Sequence, residues 1–476
     1  MNIQNGNLLE KSSFRPLYEG VLLLLVTGVA VVLRFYRLGA WSLWGDEVFT
    51  LTGKEDGFNF SLLRRSLASD LIRATTSALG VSEWSARLVP AIVGVLSIPV
   101  LYFMVRKIFG ARVALFSAGL LAVSTWHIYW SQNARYYTLL LLFYTLSMLA
   151  FYIGMEADNP WWVAGSLVFL GLAVRERLIA LVFVPVVVVY LLALKFLPGE
   201  KPSGWRLRNL AIFFAPGLVL ALLVAGPFLR NLPGWFAGFG RINNNPIWIL
   251  AGVVYYVGLP VVCAGLAGGI YCLLERRRDG RFYRAALFFG LGAVLPLVAI
   301  MGASIFQYSA NRYIFVSLTS WIILAGLALE ALFTLLPENR GILAFGVLVL
   351  LFASLLSEDV LYFQYQNGNR DNWKSAFAYV QAHLRPGDQV ISANPEVARY
   401  YLGELTGGFQ TLDTSTLDSK GRTWFVEDLN VGELFPDKLV WLEQNARLVA
   451  NFDVHAYARV FIMRVYLYDP TLRAKR

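Results

Sequence analysis

Along the first three quarters of the chain apolar residues gather in long blocks, separated by short charged or Gly/Pro-containing breaks. A helix needs about 20 apolar residues to cross a bilayer core, because each backbone polar group must be bonded inside its own segment. Eleven segments fit that pattern, at about 17–36, 88–108, 111–130, 137–155, 160–175, 178–197, 210–229, 247–273, 283–305, 313–334 and 341–357. The first is expected to be retained rather than cleaved, since its apolar run is long and no small-residue cleavage site follows it. Arg175, Glu176 and Arg177 interrupt the fifth and sixth, which therefore read either as one broken helix pair or as two short helices.

From about residue 358 the pattern changes. Residues 371–385 show helical periodicity, ended by the turn Arg385-Pro386-Gly387-Asp388. A strand at 389–392, a helix at 395–402, strands at 422–427 and 457–467 and a helix at 436–446 follow. Alternation of this kind predicts a small α/β layer. It carries no Gly-rich phosphate loop and no nucleophile elbow, and reads as an accessory lid or acceptor-binding unit. The expected fold is thus an all-α polytopic membrane protein of about 11 transmembrane helices. It spans residues 1–357 with a long outer loop at 37–87, followed by a soluble extracytoplasmic α/β domain at 358–476.

Composition agrees with a membrane protein: 57% hydrophobic and 15% charged residues, against about 25% charged in soluble domains. The net charge of +10 invites a nucleic-acid reading until it is divided. Residues 358–476 carry 13 Lys/Arg and 15 Asp/Glu, so the positive excess belongs to the apolar part. There it marks cytoplasmic loops. With the N-terminus inside, those loops hold Lys11, Arg15, Arg106, Lys107, Arg112, Lys195, Lys201, Arg206, Arg208 and the cluster Arg276–Arg278, Arg281 and Arg284. An odd span count then puts the tail outside. Two cysteines and three scattered histidines offer neither a disulfide framework nor a Cys/His metal cluster.

Candidate chemistry lies on the outer side. Leu43-Trp44-Gly45-Asp46-Glu47 follows the first span, and two adjacent carboxylates at a membrane surface are costly unless used. One carboxylate suits a general base toward an acceptor hydroxyl, with its neighbour orienting it; a solvated interfacial loop is the plain alternative. Ser131-Gln132-Asn133-Ala134-Arg135-Tyr136-Tyr137 opens the fourth span, and Asn311-Arg312-Tyr313 opens the tenth. Helix starts favour negative charge, so arginines there call for another reason; a planar guanidinium grips phosphate, or snorkels to headgroups. Glu83 and Arg87, one turn apart, read as a local pair, as do Asp70 and Arg73. His127, among aromatics, reads as structural.

Together with Ser82–Pro90 these elements, in this order, resemble the dolichyl-phosphate-mannose protein mannosyltransferase superfamily, and more narrowly its bacterial branch that includes the aminoarabinose transferases. The resemblance covers about residues 17–335. It implies the C-type glycosyltransferase fold and a polyprenyl-phosphate sugar donor. Transfer would invert the anomeric carbon at the outer face, onto a glycolipid, polysaccharide or protein. Asp46 would be the base and Glu47 its partner; Arg135 and Arg312, with Tyr136 and Tyr313, would hold the donor phosphate. No cofactor, metal or nucleic acid is implied.

The chain departs from the pattern in three places. Relatives carry a His-Pro-Pro-Leu-Tyr-Tyr-type segment where Arg64-Arg65-Ser66-Leu67 stands, a glutamate at Asn133, and histidine-aromatic chemistry at Arg175-Glu176-Arg177. Arg64, Arg65 and Arg177 are therefore further candidates for phosphate or acceptor binding. A multi-span transporter or flippase of lipid-linked sugars and a non-catalytic scaffold are the rival readings. The absence of an internal repeat counts against the first.

Overall fold

The computed structural model describes residues 16–54, 66–197, 199–236, 245–274, 280–306, 309–337, 340–403, 406–417, 421–456 and 459–470. Arg64 and Arg65 lie outside these residues. Every one of the eleven apolar segments is helical. Helix α1 (Pro16–Phe35) is followed by two helices outside the apolar segments, α2 (Gly45–Thr52) and α3 (Leu67–Leu79). Helices α4 (Glu83–Phe109), α5 (Ala111–Ala122), α6 (Thr125–Ser131), α7 (Tyr137–Glu156), α8 (Pro160–Glu176) and α9 (Phe183–Phe196) come next. Then follow α10 (Leu207–Phe236), α11 (Pro246–Val257), α12 (Leu259–Leu274), α13 (Gly280–Phe306), α14 (Leu318–Leu335) and α15 (Gly341–Val360).

Among the described residues, seven helical stretches are long and apolar enough to cross a membrane, and up to nine if two bent pairs each count once. The pairs are α5–α6, bent by 60°, and α11–α12, bent by 95°. The expected eleven spans therefore appear as eleven helical segments, with α8 and the apolar part of α10 too short to cross on length alone. The α5–α6 bend has a visible stitch. A helix end leaves carbonyls without partners, and Arg34, buried on α1, donates to Leu121 O (3.0 Å) and Ala122 O (2.9 Å) there. Its Nη2 also meets His127 Nδ1 at 2.7 Å, which agrees with a structural reading of that histidine.

The tail forms the expected mixed layer, and all the predicted elements except the strand at 457–467 lie within two residues of observed ones. Helix α16 (Trp373–His383), β1 (Gln389–Ser392), α17 (Pro395–Leu402), β2 (Thr406–Gly408), β3 (Thr423–Asp428), helices Leu429–Leu434 and Pro436–Asn445, β4 (Arg447–Asn451), the short β5 (Val454–His455) and β6 (Val460–Phe461), and β7 (Met463–Tyr468) follow in order. The sheet order is β2-β1-β3-β7-β4, with β1 parallel to both neighbours and β7 antiparallel to both of its own. The expected strand at 457–467, of which 457 and 458 lie outside the described residues, is divided between β6, which pairs with β5, and β7.

One core links the tail to the loop after α1. Leu43 and Val48 are buried in the same cluster as Trp373, Phe377, Val397 and Trp424. Gly45 sits so close to Asn394 that a Cβ there would lie 2.5 Å from its Nδ2, so no larger residue fits without displacement. Tyr401 OH accepts from Leu43 N–H (3.0 Å) and donates to Glu83 (3.1 Å). The acidic turn is thus wedged between the membrane helices and the tail.

Candidate active site

The two acids of Gly45-Asp46-Glu47 face different surroundings, because consecutive helical positions are about 100° apart. Glu47 points inward and is fully buried. Its carboxylate accepts Arg87 Nε (2.9 Å) and Nη2 (2.8 Å), the N–H of Ala134 (2.7 Å) and the N–H of Trp44 (3.3 Å), and lies 3.5 Å from Arg370 Nη1. Arg87 spends its remaining donors on Leu38 O, Trp41 O and Ser42 O. Burial, the largest single influence, pushes the Glu47 carboxyl up, but Arg87 and Arg370 together with the hydrogen bonds more than offset it and hold it below the usual carboxylate range. This cluster is sealed.

The local Glu83–Arg87 pair expected from spacing does not form. Arg87 turns to Glu47, while Glu83 pairs with Lys374 (3.1 Å) and accepts from Tyr401. Spacing alone places two side chains on one face; here the buried guanidinium finds a buried carboxylate 40 residues away, where desolvation makes the pairing obligatory. The Asp70–Arg73 pair does form (2.8 Å), and Arg175 joins it at 3.3 Å.

Asp46 points the other way and stays partly open, its side chain 27% exposed. Arg135 Nη2 lies 3.7 Å and Arg312 Nη1 3.6 Å from the same oxygen, Oδ2. Both are ion-pair distances, longer than hydrogen bonds. Arg135 is fixed independently by donating to Asp46 O (2.9 Å) and Thr50 Oγ1 (3.0 Å). Glu47 contributes to this geometry by holding the Ala134 N–H, so the strand of chain before Arg135 is tied to the helix that carries Asp46. The Arg312 guanidinium lies 5.7 Å from the Trp44 ring and 5.8 Å from the Tyr313 ring.

Arg177 completes the set. It stands in the extended break after α8, and its guanidinium lies 5.4 Å from the Tyr136 ring, whose other neighbour is Arg135 at 5.0 Å. Tyr136 OH donates to Tyr137 OH (3.2 Å), placing both phenols in the same polar group. The preceding residue, Glu176, accepts from the N–H groups of Leu67 and Ala68 at the start of α3, which fixes the break. Three guanidinium groups and one carboxylate leave a surplus of positive charge, which suits a bound anion.

A cavity of about 1360 Å³ opens beside Arg312 and Trp44. One wall is apolar and comes from the bent α11–α12 pair (Ile249, Val254, Leu259); another is aromatic (Trp126, Tyr129, Trp130). Its outer wall is formed by Gln366 to Asp371 and by Arg459 and Phe461 of the tail. The sequence reading missed Arg370, which bridges Glu47 and donates to Gln132 O (2.6 Å), and Gln132 itself. Gln132 ties the backbone of α1 to Trp41 (3.1 Å) and Tyr362 (3.0 Å). The only sequence signal for Arg370 was its place in the turn-rich Asn367-Gly368-Asn369-Arg370-Asp371 run after the last span. At Asn133, where relatives carry glutamate, the amide oxygen accepts from Trp44 Nε1 (3.3 Å) and the buried Nδ2 has no partner among the described residues. No group of three or more His, Cys, Asp or Glu comes together among the described residues as a metal cluster.

A family model described as dolichyl-phosphate-mannose-protein mannosyltransferase matches residues 67–230. No curated protein matches the chain in sequence. Among solved structures it is similar to ArnT from Cupriavidus metallidurans, bound to undecaprenyl phosphate, at 17% identity and TM-score 0.57, covering 94% of this chain and 97% of that one. The apo form of the same protein gives TM-score 0.59 at 17% identity, covering 96% and 99%. The archaeal oligosaccharyltransferase AglB from Archaeoglobus fulgidus, in complex with an inhibitory peptide and a dolichol-phosphate, gives 0.57 at 12% identity, covering 95% of this chain and 74% of that one. The chain therefore has the C-type glycosyltransferase fold over nearly its whole length, and its sequence resemblance to the mannosyltransferase superfamily is shown across residues 67–230.

Proposed function

We propose that this chain is a membrane glycosyltransferase that moves a sugar from a polyprenyl-phosphate donor to an acceptor hydroxyl at the outer face, with inversion. The observation that carries this reading is the convergence of Arg135 and Arg312, from segments far apart in sequence, on the carboxylate of Asp46. Displacement of a phosphate from the anomeric carbon builds negative charge on the departing oxygen. Fixed guanidinium groups stabilise that charge most where water is sparse. Arg135, Arg312 and Arg177 supply them, with Tyr136 and Tyr313 beside them. The binding of polyprenyl phosphates by structural neighbours supports the donor class, and the apolar α11–α12 wall suits a lipid chain.

Asp46 lies at ion-pair distance from both arginines. An arriving phosphate draws them away and frees the carboxylate to accept the acceptor's proton, as a general base must. Glu47 is committed to Arg87 and Arg370, so the acidic pair supplies one base. A single displacement, and hence inversion, follows. Glu47 then acts as a positioning residue for Asp46 and Arg135.

The test is transfer of labelled sugar by purified protein from polyprenyl-phosphate sugars and, separately, from nucleotide sugars. Transfer from the lipid donor alone, lost in Asp46→Asn, is the expected result. Transfer only from nucleotide sugars, or full activity without Asp46, contradicts it.

A further inference from the structure

Apart from Arg370, the cavity wall at 366–371 belongs to none of the groups assigned above, yet it is built in a costly way. Asn367, Gly368 and Asn369 have φ of +48°, +63° and +58°, three consecutive residues in the left-handed region. Glycine adopts that region freely and asparagine better than most residues, so the cost lies in the two asparagines, and strain of this kind persists where the surroundings impose it. Here they do. Gly368 N–H donates to Tyr362 O (3.0 Å), and the Trp41 ring lies so close that a Cβ on Gly368 would sit 2.8 Å from it. The loop is thereby folded back on Trp41 and presents Asn369, Arg370 and Asp371 to the cavity.

The polar groups it presents are incompletely used. Asn369 Oδ1 is buried and has no hydrogen-bond donor among the described residues. Facing it from the tail, the β5–β6 hairpin brings Arg459, stacked 3.9 Å from the Phe461 ring, with no carboxylate within ion-pair distance among the described residues. Arg459 acts through space on the carboxyl of Asp371, which lines the same cavity. An amide acceptor, a carboxyl and a guanidinium, arranged around the rings of Tyr129, Tyr362 and Phe461, match the chemistry of a sugar. Hydroxyls pair with the first three, and the C–H faces of a pyranose rest on aromatic rings. A serine or threonine of a protein acceptor offers one hydroxyl and no such face.

We propose that the 366–371 loop and the β5–β6 hairpin form an acceptor-sugar subsite, in which Asn369, Asp371 and Arg459 bind hydroxyls of a carbohydrate stacked on the cavity's aromatic side chains. This deepens the glycosyltransferase reading and rests on it for the word acceptor. The acceptor is then a glycan or the headgroup of a glycolipid, and the tail domain supplies a wall of the site.

The test uses the purified full chain in detergent and a protease-digested, mild-acid-released glycan fraction from the producing cells' envelope, observed by saturation-transfer NMR. Saturation of sugar ring protons is expected in the wild type. Its apparent affinity is expected to fall at least tenfold in Asn369→Ala/Arg459→Gln, to recover in part in Arg459→Lys, and to persist in Arg312→Ala. Near-UV circular dichroism confirms that each variant keeps its tertiary packing. Undiminished saturation in the double variant, or no glycan saturation in a folded wild type, overturns the subsite. Undecaprenyl phosphate titrated into the same samples reports on the donor reading separately: a wild type that ignores it but binds glycan retains the subsite and loses the donor.

Discussion

Two arginine–carboxylate clusters stand one residue apart in the sequence and differ in almost everything else. Around Glu47 both oxygens are taken, burial is complete, the Arg87 guanidinium is spent on backbone and carboxylate, and Arg370 adds a bond to Gln132 O and a 3.5 Å contact to the carboxylate. Around Asp46 the contacts are 3.6–3.7 Å, the side chains remain partly exposed, and cations outnumber the acid. The same chemistry is therefore put to opposite uses. A buried, fully bonded pair fixes structure, because removing one partner strands a charge in low dielectric. A loose, partly wet pair holds its groups ready for a ligand that satisfies them better.

Substitutions sharpen that contrast. Asp46→Asn is expected to lower transfer by about 10²–10⁴-fold, the usual contribution of a general base, with the thermal unfolding midpoint unchanged; a radiolabel transfer assay and a melting curve check both halves. Arg312→Ala is expected to cost about 10²–10³-fold, as for removal of one charge-stabilising donor, and Arg177→Ala less. Equal effects of Arg312→Ala and a distant control would break the assignment. Glu47→Gln should act first on stability, and on transfer only through the loosened placing of Asp46 and Arg135. By leaving Arg87 buried without its counter-charge it should lose roughly 3–5 kcal/mol of stability, read as loss of folded protein in a detergent melt.

A pH effect comes from the cavity wall that carries Asp371. Burial pushes the Asp371 carboxyl up to about 6, against Arg459 pulling it down and Asp428 adding to the rise. A raised acid stabilises the fold in its neutral form, so this contribution is full below about pH 4 and is lost as pH climbs through 6. At 1.36 kcal/mol per pKa unit it amounts to about 3 kcal/mol. Asp371→Asn should melt higher than the wild type at pH 7.5 and equally at pH 4; a constant offset across that range contradicts the shift. The smallest effect expected is at the half-exposed Asp70–Arg73 pair, where Asp70→Asn should cost roughly 0.2–1 kcal/mol.

Much of this architecture was legible because its causes are local. A bilayer forces long apolar helices, so all eleven segments and even the weak point at Arg175–Arg177 could be read. Tail elements such as 395–402 were set by Pro and Gly punctuation. The convergence of Asp46, Arg135 and Arg312 was anticipated only through the resemblance. What could not be read was pairing at a distance. Glu83 and Arg87 share a helix face, yet their partners come from the tail and from the acidic turn. No spacing rule tells two neighbouring acids apart, so the sealed surroundings of Glu47 and the open ones of Asp46 could not be read from Asp46-Glu47 alone. The cavity wall from Gln366 to Asp371 is similar: its turn residues were visible, but its backbone fold over Trp41 depends on packing between units.

The comparison of the two clusters reduces to one measurement, the affinity of undecaprenyl phosphate for the wild type and for Asp46→Asn, made alongside turnover. If Asp46 holds the arginines until phosphate arrives, its neutralisation removes a competitor, so lipid phosphate should bind more tightly while sugar transfer collapses. Affinity that is unchanged or weaker in Asp46→Asn, with transfer intact, would mean that the open cluster is neither the phosphate site nor the seat of the reaction.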